Sequence, residues 1–334
     1  MRFDLLNFYY NEKMKFYLSI LLFLTILLSG SYYFHNSLKA EAKGSLMIVI
    51  ENHPRARPQA GLNQADIVYE FLVEGGITRF LAGYFTSMPD KAGPIRSLRP
   101  YMVEVADQHS SPIFHIGASS DALRKAAEHD LLTIDEIANQ EYYWRDEERS
   151  RPHNLYTSSS SLENAFSEQI TGNPNDNKKE TEDFRASDYL NTSEQESSKF
   201  WQEREKANKV SLQYWGNMIE YVYSEQQGRY KRYLEDSPHI LEDEETIKVK
   251  SLIVIYTSHE IIDDQGRLNI NFSNSGRAAF FSQGRLIEGK WQNQRQNGNL
   301  KFTFFADDRE EITFPPGSTW VHIVPETASV NIDN

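Results

Sequence analysis

The sequence contains no cysteine in its 334 residues. That excludes disulfides, thiolate zinc sites and cysteine nucleophiles. It also lacks positive charge overall. A formal net charge of −13 argues against general binding to nucleic acid along the surface. There is no G-x-S-x-G elbow, no H-E-x-x-H and no H-x-H spacing. Neither a cofactor nor a metal is therefore expected from motif spacing. Function has to be argued from arginines, a few histidines and the order of apolar runs.

Apolar content of 39% and aromatic content of 13% suffice for real cores, and the length suits two folded domains. Phe16 to Leu38 carries no formal charge, and Lys15, Lys39 and Lys43 flank it. Its most apolar part, Phe16 to Leu28, has signal-peptide length, and residues 16–38 together could span a bilayer. Residues 1–45 thus read as a signal peptide or a membrane anchor, with the true start at Met1 or Met14. The small-residue pattern fits cleavage after Ser31 or near Ala40–Ala42.

Residues 46–170 alternate strands, loops and helices. Leu46 to Ile50, Asp66 to Val73, Ile77 to Thr86 and the stretch around Ile113 to Ile116 read as strands. Apolar residues at 98, 101, 102, 105 and 106 have helical spacing, with Pro100 in the first turn. A second helix starts after Ser120 or Asp121 as N-cap. The expectation is an α+β or α/β domain on a mixed sheet. Residues 171–205 read as a polar linker or insertion. Residues 206–326 hold short apolar runs separated by turns such as "DDQG", "SQG" and "PPG", hence a β-rich domain. The aromatics of this part of the chain, with Trp201 just before it, are Tyr214, Trp215, Tyr221, Tyr223, Tyr230, Tyr233, Trp291 and Trp320, and they read as core and cross-strand packing rather than as sugar platforms.

The phrases "VIENHPRARPQAGLNQADIVYEFLVEGGITRFLAGYF", "GPIRSLRPY" and "WRDEERSRPHNLYTS" resemble the YerB-like envelope proteins, the DUF3048 family. "GRYKRYLEDSPH", "GRAAFFSQGRLIEGKW" and "PPGSTWVHIVP" resemble that family's second, β-rich domain. The resemblance implies an extracytoplasmic protein, secreted or lipid-anchored, with no defined reaction. Lipoprotein members end the signal with a lipobox cysteine, and Ser31 stands at that place here. Without a thiol no thioether to a lipid forms, so anchoring falls to residues 16–38 or the protein is released.

Five arginines, Arg55, Arg57, Arg79, Arg96 and Arg99, lie between residues 46 and 118. Arginine's planar fork suits carboxylate and phosphate. Four of the five sit on proline-bearing loops. One reading gathers these loops at the strand ends to clasp an anionic group of a cell-wall polymer or a wall-synthesis protein. The other pairs the arginines with Glu51, Glu70 and Glu74 and makes them loop locks. Gly75 and Gly76 permit close backbone approach. "RPHNLY" adds His153, a candidate acid or base, and Asn154, which could orient it. His115 lies on a strand and either faces the same site or fills the core. Ser97, Ser119 and Glu74 are the partners a catalytic histidine would need. His53, His115 and His153 with Glu51 or Glu74 offer metal-ligand types without metal-ligand spacing. Glu70 and Glu74, four apart on a strand, stand about 13 Å apart, too far for a glycosidase pair.

Overall fold

Residues 45–170, 199–214, 217–294 and 301–333 are described by the structure, a computed structural model. The expected leader and anchor, Ser31, Trp215 and residues 171–198 lie outside the described residues. Among the described residues no helix is long and apolar enough to cross a membrane.

The first stretch supplies β1 (Leu46–Glu51), β2 (Ile67–Leu72), β3 (Thr78–Tyr84), β4 (Lys91–Ala92), β5 (Ile113–His115), β6 (Thr133–Asp135), β7 (Trp144–Arg145) and β8 (Leu155–Ser158). Its α-helices are α1 (Pro100–Gln108), α2 (Ser120–Glu128) and α3 (Ser159–Ala165). Pro100 opens α1, where a missing N–H costs nothing. The N-cap of α2 is Ser119, one residue earlier than the sequence suggests. Its hydroxyl accepts from the Ala122 N–H, 3.2 Å away.

The later stretch is almost wholly strand. It supplies β9 (Glu205–Lys206), β10 (Lys209–Tyr214), β11 (Asn217–Ser224), β12 (Arg229–Leu234), β13 (Ser237–Pro238), β14 (Lys248–Val249) and β15 (Ser251–Thr257). There follow β16 (His259–Ile261), β17 (Leu268–Ile270), β18 (Ser275–Ser282), β19 (Arg285–Asn293), β20 (Phe302–Ala306), β21 (Thr319–Pro325) and β22 (Ser329–Asp333). The architecture is α+β in the broad sense, with strands far outnumbering helices.

One mixed sheet takes strands from both stretches, in the order β20-β19-β18-β15-β21-β2-β3-β1-β5-β6. The late strand β21 lies between β15 and β2, parallel to both. β1, β2, β15 and β21 are buried along their whole length, which is why their sequences are apolar without alternation. The second sheet, β13-β12-β11-β10-β22, does alternate: every second residue of β10 is buried. It extends beyond residue 326, because β22 pairs with β10. Trp201, inside the stretch read as linker, is fully buried and donates its indole N–H to the Thr313 carbonyl at 2.8 Å. Trp291, Trp320, Tyr221 and Tyr230 are buried as well, as core packing requires. The described residues all fall in one compact unit.

Candidate functional site

β1 and β5 run parallel, and their carboxyl ends splay apart. The segment from Pro94 to Leu98 fills the gap. On one side the Glu51 N–H bonds the Pro94 carbonyl, and the Arg96 N–H bonds the Val49 carbonyl. On the other, the Ile116 N–H bonds the Arg96 carbonyl, and the Leu98 N–H bonds the Gly117 carbonyl. β3 is antiparallel to β1 and starts at this same edge, so Arg79 stands opposite Glu51 in register. Carboxyl ends of parallel strands are where open sheets present ligand sites.

Two loops complete the edge. After β1, His53 caps the short helical turn Pro54–Ala56, its Nδ1 accepting from the Arg55 N–H at 3.1 Å. Residues 150–154 bring His153 back from far along the chain. Its Nδ1 is 2.9 Å from Glu51 Oε2. The His53 and His153 rings stack at 4.9 Å with 16° between planes. Arg96 Nε lies 2.9 Å from Glu51 Oε1, an ion pair whose angle falls short of a hydrogen bond. Burial lowers the His53 pKa, as do His153, Arg55 and Arg96, while Glu51 opposes them. His53 is thereby held neutral near neutral pH.

Beside this group, Arg99 grips Glu74 with both arms of its fork, at 2.6 and 3.0 Å. Burial alone would raise the Glu74 pKa; the Arg99 bonds and charge outweigh it and lower it. Arg79 is 6% exposed and donates to the Ser97 carbonyl at 2.6 Å. Its Nε has no hydrogen-bond partner, and no carboxylate lies within ion-pair distance of it among the described residues. Burial and the neighbouring Arg99 pull its pKa down to about 10, with Arg96 adding to the effect against Tyr101 and Glu74. It remains a cation at neutral pH.

Behind the edge lies a buried polar network. Asn52 donates to Thr78 at 2.7 Å, and Thr78 donates to Glu70 at 2.7 Å. Glu70 faces Arg232 at 3.0 Å, both fully buried. Arg232 Nε donates to His239 Nδ1 at 3.0 Å, and His239 Nε2 meets Gln59 Oε1 at 2.9 Å. Gln59 in turn donates to the Glu51 carbonyl at 2.9 Å. The loop that carries His53 is thus fastened to the β12–β13 region.

The arrangement divides the residues expected from sequence. Arg79, Arg96, Arg99, Glu74, Ser97 and His153 gather at this edge. Arg55 is exposed beside His53 and has no ion-pair partner among the described residues. Arg57 turns away and bonds Asn52, at 3.2 Å to the side chain and 3.0 Å to the carbonyl. Asn154 does not orient His153: it accepts from Arg145 and donates to the Asp146 carbonyl. Glu51 does that work. His115 is fully buried, its Nδ1 bonded to the Gly117 carbonyl at 3.0 Å, and it stands apart from the His53–His153 pair. Ser119 is spent as a helix cap. Among the described residues no serine hydroxyl bonds His153. Glu70 and Glu74 face different partners, Arg232 and Arg99.

Glu51 and His53 are the members that sequence reasoning did not rank as site residues. The signal was "ENH" at the end of a strand: residues two apart project to the same face. Metal-ligand spacing was absent from the sequence, yet the ligand atoms of Glu51, His53 and His153 lie within 4.8 Å of one another.

Fold and site together define a mixed-sheet protein with a cation-rich cluster at its strand ends. The chain belongs to the DUF3048 family. Residues 35–173 match the family's N-terminal domain and residues 210–321 its C-terminal domain, both described as protein of unknown function. It is 32% identical over 302 residues to the Bacillus subtilis (strain 168) protein named "Putative lipoprotein YerB", covering 88% of this chain and 85% of that one. The crystal structure of YerB from Bacillus subtilis is similar with a TM-score of 0.70 at 29% identity, over 88% of this chain and 97% of that one.

Proposed function

We propose that this protein is an extracytoplasmic cell-envelope module that binds rather than catalyses. Residues 16–38 hold it at the membrane or are removed, and Ser31 leaves it without a lipid. The relative named as a lipoprotein supports the location. The bound group is a carboxylate or phosphate of a cell-wall polymer or of a wall-synthesis protein. Arg55, Arg79, Arg96, Arg99 and His153 contact it.

The observation that carries this reading is charge balance. Around His53 and Arg79, among the described residues, four guanidiniums, Arg55, Arg79, Arg96 and Arg99, stand against two carboxylates, Glu51 and Glu74. The chain around them is strongly acidic. Glu51 and Glu74 hold Arg96 and Arg99 in place, and Arg79 keeps its charge without a carboxylate of its own. An incoming anion supplies the missing partner.

The test is a pull-down on peptidoglycan, anionic wall polymer and membrane-protein extract. It compares the parent with Arg55→Ala/Arg96→Gln, both changes lying on partly or fully exposed side chains. Retention on one ligand should fall roughly tenfold or more, the loss expected of charge-assisted bonds, and should weaken with salt. Equal retention of both proteins on every ligand ends the proposal.

A second reading, a wall-active hydrolase or transferase using His153 or His115, has one observation in its favour. Glu51 bonds the His153 ring and fixes its orientation, as a general base needs. Turnover of a wall fragment that disappears in His153→Ala would favour it over binding.

A further inference from the structure

We infer that Glu51, His53 and His153 form a site for one divalent transition-metal ion of the zinc class. This goes beyond the anion-binding reading and does not depend on it. Two imidazoles and one carboxylate are a donor set that zinc takes, with a further position left open. The three come from two places in the chain: Glu51 and His53 end one strand, and His153 arrives 102 residues after Glu51. A fold that needed only packing would have little use for two parallel imidazoles against a carboxylate.

The geometry is close to what one ion requires. The three ligand atoms lie within 4.8 Å of one another. Bonds of about 2.0–2.1 Å bring donors to within about 4 Å. Rotation of the two rings closes that gap. Two hydrogen bonds are given up in doing so. The Arg55 N–H that His53 now accepts is exposed and passes to water. The His153 bond to Glu51 Oε2 is replaced by the metal, while Arg96 keeps its place on Oε1 and steadies the carboxylate. Arg55 and Arg96 border the ion, so its open position favours an anionic co-ligand or a hydroxide over a neutral one.

The experiment titrates the full chain, stripped of metal, with Zn2+ alone by calorimetry and with Co2+ by visible absorption. One equivalent is expected to bind saturably. Glu51→Gln, His53→Ala and His153→Ala should each weaken binding at least tenfold, the smallest loss seen even for residues that only support metal ligands. Unchanged affinity in His53→Ala and His153→Ala, or no saturable binding in the parent, overturns the inference. Should a variant fail to fold, anomalous diffraction at the zinc edge from soaked crystals of the parent decides. The ion then lies on these three side chains, or the site is refuted. No anionic ligand is present in either measurement, so failure here leaves the arginine reading standing, and the pull-down leaves this one untouched.

Discussion

Glu70 and Arg232 face each other with no exposure to water, 162 residues apart. Removing one charge strands the other. Glu70→Gln should therefore cost about 3–5 kcal/mol, the loss typical of a broken buried pair, read as a lower urea midpoint. The pair also predicts how stability follows pH. Burial opposes the Glu70 carboxylate, but Arg232 and then His322 and Thr78 hold its pKa below the ordinary value. Its stabilisation is complete above the usual carboxylate range and is lost as pH falls through the lowered folded value. Burial also lowers His322 to about 4 and His109 to about 3, from 6.5. Between those values and 6.5 the unfolded chain takes up protons that the folded chain refuses. The melting temperature should thus begin to fall below about pH 6.5 and fall faster in the carboxylate range; a flat profile from pH 7 to 4 would contradict this. At this scale the sequence was half legible. Five arginines were visible, four of them on stiff loops, and Glu51, Glu70 and Glu74 stood out as candidate partners, but which arginine each would take did not. Glu51 for Arg96 and Glu74 for Arg99 are choices made by tertiary neighbours, and Arg232 lies in a segment with no local sign of a buried charge.

Elements were more legible, because their signals are local. The unbroken apolar run of β1, the Pro100 start of α1 and the strand–turn rhythm after residue 206 all reappear in the structure. What could not be read was the wedge of residues 94–98 between β1 and β5, since its hydrogen bonds go to strands far away in sequence. Gly93 sets the entry to that wedge. A Cβ there would meet Tyr156 Cδ1 at 2.6 Å and the Leu155 carbonyl oxygen at 2.7 Å. Gly93→Ala should cost about 1–3 kcal/mol, as overpacking does, and on the proposed anion-binding reading should lower retention in the pull-down by shifting Arg96. A variant as stable and as well retained as the parent would show that the wedge tolerates movement.

At the scale of the whole molecule, two stretches of sequence share one sheet. Turn spacing and composition suggested a polar stretch over residues 171–205 between two differently patterned halves; the family's matched segments are residues 35–173 and 210–321. Nothing local reported that β21 lies between β2 and β15, because parallel pairing at such separation leaves no mark on short-range pattern. Residues 45–170 alone would expose the edge of β2 and bury Glu70 without Arg232. That fragment should give poorly dispersed amide resonances and rapid proteolysis, and a well-dispersed spectrum would refute the expectation.

The position of β21 has a corollary for limited proteolysis. A single nick anywhere from residue 171 to 198 would sever the polypeptide without separating the halves, because the strand that stitches them lies past the cut. The nicked protein should elute from a sizing column as one particle and come apart only in denaturant.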